Sequence, residues 1–315
     1  MNIIGETGRE DIAVVCLAET EPDRYVEFVQ SLQPPLPRSE KWVLIVSTLY
    51  GCPVGCSICD AGGWYHGKVS AEDILAQIDY MVDRFFPGRS VPVKKFKIQF
   101  ARMGEPSFNP AVLEVLKQLP VRYHAPGLMP SLSTIAPVGT GAFFRQLREI
   151  KDEYYGNGNF QMQFSIHTTD PEKRDLWIPV KKWDFETIAQ YGREFYKEGD
   201  RKITLNFALA EDSPLCADVL ARCFDPRIFM IKLTPVNPTI SAIKRQIVTA
   251  VTSEARADRL QEVRALREKG YHVLVSIGEL EENKIGSNCG QYVRTFLDSG
   301  CELNHDSYQY RLERM

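Results

Sequence analysis

The chain has 315 residues, 44% hydrophobic and 25% charged, enough apolar material for a large core. Its 38 basic and 41 acidic side chains balance at −3, which gives no electrostatic footprint for nucleic acid. No run of about 18 uncharged apolar residues is present to cross a membrane. The start, MNIIGETGREDIAVVC, has no basic segment leading into an apolar block and so does not read as a secretory leader. The eight cysteines are then expected to be cytoplasmic ones, metal-binding, catalytic or buried, and not a disulfide scaffold.

Residues 1–41 are mixed in character and close on Leu32-Gln33-Pro34-Pro35-Leu36-Pro37, too rigid and too poor in N–H donors to continue a helix or a central strand. They read as an N-terminal extension, a hairpin or cap with a proline-rich linker. Residues 42–315 read as one domain. Within it, short runs rich in branched and aromatic residues fall at 42–48, 95–101, 130–136, 160–166, 202–208, 228–234 and 271–277. Helical patterns lie between them. Over 70–86, Ile74, Leu75, Ile78, Met81, Val82 and Phe85 recur at three-and-four spacing behind a Ser70-x-x-Asp73 start signal. Over 254–269, Leu260, Val263 and Leu266 do the same. Repeated strand–helix–strand units imply parallel pairing with right-handed crossovers, hence an α/β fold: an open doubly wound sheet or a barrel, whole or partial. In either, active residues belong just past the carboxyl ends of the strands.

Directly after the first of these strands comes Cys52-Pro53-Val54-Gly55-Cys56-Ser57-Ile58-Cys59. Three thiolates in one glycine-containing loop can hold a cuboidal iron–sulfur cluster and leave one iron open. Structural zinc wants four closed ligands and paired elements, and His66 stands alone. After the second strand comes Met103-Gly104-Glu105-Pro106, where glycine admits close backbone approach and a carboxylate can accept an ammonium group.

The cysteine spacing resembles the radical S-adenosylmethionine (SAM) superfamily. The wider set resembles its RlmN/Cfr family of adenine methylases: Ser47-Thr48-x-x-Gly51-Cys52, Met103-Gly104-Glu105-Pro106-x-x-Asn109, Ser131-Leu132-Ser133-Thr134, Ser165-Ile166-His167 with Arg174 and Pro179, Pro235-Val236-Asn237-Pro238, and Cys289-Gly290-Gln291. The resemblance implies a partial (β/α)6 TIM-like radical SAM barrel. In it Cys52, Cys56 and Cys59 hold a [4Fe–4S] cluster, and Gly104, Glu105, Ser131 or Ser133, Ser165, Ile166, His167 and Asn237 line a SAM site. It also implies an external one-electron donor of the flavodoxin or ferredoxin type. Cys289 would be the methyl acceptor: it takes a methyl group from one SAM, and a second SAM activates that S-methyl for addition to an sp² carbon. Glu27, in Tyr25-Val26-Glu27-Phe28-Val29, matches the family strand that carries a proton-accepting glutamate.

The chain departs from the family at four points. Ile45 stands seven residues before Cys52, where the family has its resolving cysteine, and Cys16 or Cys301 would have to substitute. The family's amino-terminal helical domain has no room. Arg102 replaces a small glycine beside the SAM-binding loop. The acidic balance disfavours an RNA partner, since phosphate contacts dominate such affinity. The expectation is therefore a radical SAM methyltransferase acting on a small-molecule or nucleobase-like substrate other than rRNA. An RNA or tRNA adenine methyltransferase is the first alternative, and a hydrogen-abstracting enzyme without methyl transfer the second. A non-catalytic cluster-binding regulator is the reading outside enzymology. Cys216 and Cys223 read as packed helix residues, and Lys94-Lys95-x-Lys97 and Lys181-Lys182 as solvated charge.

Overall fold

The computed structural model describes residues 1–251, 261–278, 280–288, 292–299 and 313–314. Three strands come first, β1 (Asn2–Arg9), β2 (Ala13–Glu21) and β3 (Arg24–Ser31). They are followed by β4 (Trp42–Val46), a short hairpin of β5 (Leu49–Gly51) and β6 (Tyr65–Lys68), and helix α1 (Ala71–Phe85). Strands and helices then alternate: β7 (Phe96–Phe100), α2 (Ala111–Arg122), β8 (Leu128–Thr134), α3 (Gly141–Tyr154), β9 (Gln161–Ser165), α4 (Pro171–Trp177), α5 (Phe185–Phe195), β10 (Ile203–Leu209), α6 (Ala217–Cys223), β11 (Phe229–Pro235), α7 (Ile240–Lys244), α8 (Gln261–Glu268) and β12 (Val273–Val275). Helices α9 (Leu280–Ile285) and α10 (Tyr292–Asp298) and strand β13 (Glu313–Arg314) end the described chain.

The main sheet has 11 strands in the order β12-β11-β10-β9-β8-β7-β4-β3-β2-β1-β13. From β12 to β4 every pairing is parallel, as the β/α alternation predicts, and the seven apolar runs all become strands within a residue or two of their expected bounds. Beyond β4 the pairing turns antiparallel. The extension is therefore neither a detached cap nor a lone hairpin: β1–β3 form a meander that lengthens the same sheet.

Local chemistry accounts for the helices. In α1 the Ser70 hydroxyl accepts the Asp73 amide N–H, satisfying one of the unpaired donors at the helix start, with Glu72 and Asp73 in the first turn. Ile74, Leu75, Ile78, Met81 and Val82 are buried against the sheet, each such burial contributing roughly 1.5–3 kcal/mol. The predicted helix over 254–269 is described only from Gln261, where Val263 and Leu266 are buried; Leu260 lies outside the described residues.

Alternation along the strands decides what the sheet presents to each side. Trp42, Leu44, Ile98, Phe100, Leu132, Phe164, Leu205, Phe207, Ile231 and Leu233 share one core cluster with the helices. The other face of the parallel strands carries Lys97 and Gln99 on β7, Met129, Ser131 and Ser133 on β8, Gln161, Gln163 and Ser165 on β9, Thr204, Asn206 and Ala208 on β10, and Met230, Lys232 and Thr234 on β11. A closed eight-stranded barrel fills its centre with branched apolar side chains; this inner face is mostly polar, with Met129, Ala208 and Met230 its apolar members. On β1–β3 the inner face is instead apolar, and Val15, Leu17 and Val29 pack against Ile285, Tyr292, Val293 and Phe296 of α9 and α10. Among the described residues no helix is long and apolar enough to cross a membrane.

Candidate active site at the carboxyl ends of the parallel strands

The cysteine loop leaves β5 at Gly51, whose φ of +76° suits glycine and whose missing Cβ would stand 2.0 Å from the Trp64 carbonyl oxygen. Cys52 N–H donates to that carbonyl at 3.0 Å, and Cys59 N–H donates to the Cys56 carbonyl at 3.1 Å, a tight turn that gathers the loop. None of the three cysteines is in a disulfide. Cys52 is buried among Val54, Ile135, Trp177, Ala208 and Val236, with Cys56 and Cys59 half-buried beside it. Burial pushes the Cys52 thiol up to about 11. It raises Cys56 further, helped by repulsion from Cys59, Cys52 and Glu105. Asp60, a residue the sequence reading passed over, locks the loop across the site: its carboxylate accepts Ile240 N–H at 2.9 Å and Ser241 N–H at 2.8 Å, and Thr239 Oγ1 donates to the Ile58 carbonyl at 3.0 Å. The cluster loop and the segment carrying Asn237 thus form one unit.

Gly104 sits at φ +96°, and a Cβ there would meet the Leu49 side chain at 2.4 Å, so the turn after β7 demands glycine. Glu105 is buried, and burial raises its carboxyl. Expected as an open acceptor for an ammonium group, it is largely committed within the protein. Oε1 accepts from Ser107 N at 3.1 Å, Ser107 Oγ at 2.7 Å and Thr134 Oγ1, while Oε2 accepts from Ile135 N at 2.9 Å. It ties the end of β7 to the end of β8 and keeps lone-pair capacity on Oε2 only. Asn109 does similar work, its amide donating to the Thr48 and Val69 carbonyls at 2.8 and 2.7 Å.

Ser131 and Ser133 both face the interior; Gln163 Nε2 donates to Ser133 Oγ at 3.2 Å, so Ser131 is the less encumbered of the two. Ser165 ends β9 on the same face. The Ile166 side chain lies in the core on the helix side, and its N–H donates to the Asn206 carbonyl at 2.8 Å, so only its backbone belongs to the site. His167 is held at φ +67°, an uncommon conformation for a non-glycine residue. Its Nδ1 accepts the Ala208 N–H at 3.1 Å, and burial, aided by Arg174, lowers it to about 4. His167 is therefore neutral and carries its proton on Nε2. Asn206, also passed over in sequence, pairs in register with Ser165 and Lys232, and its buried Oδ1 has no partner. It is an orphaned acceptor aimed into the interior, and its signal was a lone amide at an inward position of the apolar run ITLNFAL.

The largest revision concerns Glu27 and Arg102. Glu27 is expected as a proton acceptor and Arg102 as a charge intruding beside the SAM loop; instead they pair, Arg102 Nη2 to Glu27 Oε1 at 2.6 Å, with both side chains buried. Arg102 also donates to the Ser287 carbonyl at 2.7 Å and the Gly286 carbonyl at 2.9 Å, while Glu27 Oε2 accepts the Val293 N–H at 2.9 Å. Burial raises the Glu27 carboxyl, opposed by Arg102 and the amides of Val293 and Tyr292. With both oxygens engaged, Glu27 is placed as a structural anchor. Cys289 lies outside the described residues, but the segments on both sides of it, 286–288 and 292–293, are gripped by this one ion pair. Ile45 faces the same cluster. Cys16 cannot replace the resolving cysteine from its position: it sits in the helix-side core and donates to Glu6 at 3.3 Å. Cys301 lies outside the described residues. Cys216, expected to be packed, is exposed at the start of α6, whereas Cys223 is half-buried at its end.

No family model matches the chain. The ribosomal RNA large subunit methyltransferase N of Nitrosopumilus maritimus is 28% identical over 262 residues, covering 81% of this chain and 68% of that protein. A probable dual-specificity RNA methyltransferase RlmN of Mycolicibacterium gilvum is 26% identical over 256 residues, covering 78% and 66%. The chain thus spans about two thirds of the length of the curated relatives it matches. A radical SAM methyltransferase from Sphaerobacter thermophilus has the same fold, with a TM-score of 0.69 over 92% of this chain and 80% of that one at 21% identity. The chain is similar to RlmN-type radical SAM methyltransferases.

The donor set fits the cofactors of RlmN/Cfr-like enzymes, a [4Fe–4S] cluster and SAM. Three thiols outside any disulfide share one loop, and burial keeps those of Cys52 and Cys56 protonated as free groups. Metal binding would displace those protons. A cuboidal cluster takes one thiolate per iron, which suits three cysteines carried by a single loop. Cys52, Cys56 and Cys59 would hold the cluster. The free capacity of Glu105 Oε2, the Nε2–H of His167, Ser131, Ser165 and the Asn237 loop would hold SAM, which a reduced cluster cleaves.

Proposed function

We propose that this chain is a methyltransferase that moves a methyl group through Cys289 to an sp² carbon. The ion pair of Arg102 and Glu27 carries the reading: it fixes both flanks of the Cys289 loop beside the strand ends that hold the cluster loop. The Cys289 thiolate would form one S–C bond as the sulfonium S–C bond of SAM breaks, leaving S-adenosylhomocysteine. An external one-electron donor of the flavodoxin or ferredoxin type would reduce the cluster. The mostly polar inner face of the parallel strands supports an acceptor that enters the barrel, a small-molecule or nucleobase-like substrate other than rRNA. The names of the relatives favour a second reading, methylation of an RNA adenine. With Ile45 in place of the resolving cysteine, release of product would need another group.

The test is a tryptic-peptide mass spectrum of Cys289 after anaerobic cluster reconstitution and incubation with SAM. The expected result is a peptide one methyl group heavier, absent from C289A. An unmodified peptide alongside 5′-deoxyadenosine would overturn methyl transfer through Cys289 and leave a hydrogen-abstracting enzyme.

A further inference from the structure

Helix α7 has five residues, too few to hold its own shape in water. Its first three amides have no helical carbonyl to reach, and side chains satisfy all of them. Asp60 Oδ2 accepts the Ile240 N–H at 2.9 Å, and Asp60 Oδ1 accepts the Ser241 N–H at 2.8 Å. The Thr239 hydroxyl accepts the third, from Ala242, at 3.0 Å. That hydroxyl also donates to the Ile58 carbonyl at 3.0 Å, and the Ser241 hydroxyl donates to the Cys59 carbonyl at 3.4 Å. The start of α7 is therefore built on three consecutive residues of the cysteine loop, Ile58, Cys59 and Asp60.

Asp60 is fully buried, and each of its oxygens meets one amide. Only an acceptor-only group can do this with both ends. Asparagine would turn an N–H donor against another N–H, and serine has a single oxygen. Asn237 stands two residues before Thr239, and its carbonyl accepts the Thr239 N–H at 2.8 Å. On its other side the Val236 N–H donates to Thr249 Oγ1 at 3.0 Å. Asn237 thus hangs between the end of β11 and an anchor supplied by the cysteine loop. Asp60 gives that anchor two bonds, both charge-assisted.

We propose that Asp60 is a positioning residue for SAM, setting Asn237 at a fixed place relative to the three cluster thiolates. The inference rests on the reading that Asn237 lines the SAM site. With both oxygens turned to α7, Asp60 acts only through that segment. Its loss leaves Cys52, Cys56 and Cys59 in place and frees Asn237 to drift, and small misplacements of a binding group are costly. SAM affinity should then fall while iron is retained.

The test measures SAM binding to the cluster-loaded protein by anaerobic calorimetry, with iron counted for each variant and no turnover involved. D60A is expected to keep its iron and to bind SAM about tenfold or more weakly. D60N, which retains one acceptor oxygen, should fall between D60A and the wild type. D218N, which removes an exposed ion pair with Lys269 on α6, should match the wild type. The change that SAM makes in the EPR spectrum of the reduced cluster should need correspondingly more SAM in D60A. Because Asp60 acts through Asn237, the double variant D60A/N237A should bind SAM within about twofold of N237A alone. Should D60A fail to take up iron, D60N and D60N/N237A carry the same comparison. Wild-type affinity in D60A and D60N, or losses that simply multiply in the double variant, would overturn the proposal. Wild-type affinity in N237A would overturn it as well, by removing Asn237 from the SAM site, and would leave methyl transfer through Cys289 untouched.

Discussion

One sheet serves two ends of this molecule differently. Across β1–β3 the inner face is apolar and closed by α9 and α10, with Val15, Leu17, Val29, Tyr292 and Phe296 in one cluster. Across β7–β11 the inner face is mostly polar and keeps an orphaned Asn206 oxygen. The first arc uses burial to hold a segment in place; the second forgoes burial to keep room for ligands. Their two buried glutamates show the same contrast. Glu105 is satisfied by neutral hydroxyl and amide donors from neighbouring strand ends, whereas Glu27 needs a guanidinium, because it anchors a segment remote in sequence.

The sharpest way to separate the two arcs is to remove one thiol from the open one. Replacing Cys56 with Ala should abolish cluster binding and SAM cleavage altogether, read as loss of bound iron and of the visible absorbance, while the fold of the closed arc survives in circular dichroism. C289A should be narrower: no methyl uptake, but SAM cleavage to 5′-deoxyadenosine retained. In the closed arc, E27Q or R102M alone strands a buried charge or its partner and should cost about 3–5 kcal/mol in urea unfolding. The double variant should recover much of that, and Cys289 methylation should fall in each single variant more than SAM cleavage does. His167 gives a smaller effect with a definite sign. Its folded pKa of about 4 lies below the usual 6.5, so the stability it contributes is full above pH 6.5 and is lost as pH falls toward 4, about 3 kcal/mol in all. H167Q should flatten that part of the acid limb in a pH series of melting curves.

Most of the carboxyl-terminal rim was legible in sequence because its residues sit next to strand ends, where chain order and spatial order agree. The thiols, Gly104, Ser165 and His167 are examples. What spacing could not show is commitment. Glu105 looked like a free acceptor until Thr134 and Ile135, some thirty residues on, were seen to occupy it. Arg102 looked like an intrusion because its partner lies on another strand. Lys97 looked solvated because a polar inner face leaves lysine, at alternate positions of KFKIQF, indistinguishable from a solvent-facing one.

The sequence by itself determined the β/α alternation, the parallel sheet and the three-thiol loop, since each follows from local periodicity or close spacing. Tertiary structure alone decided that β1–β3 extend that sheet, that Glu27 and Arg102 grip the flanks of Cys289, and that Lys97 turns inward. Those outcomes depend on which faces meet across the sheet and on which charges are removed from water together, and neither is encoded in distance along the chain.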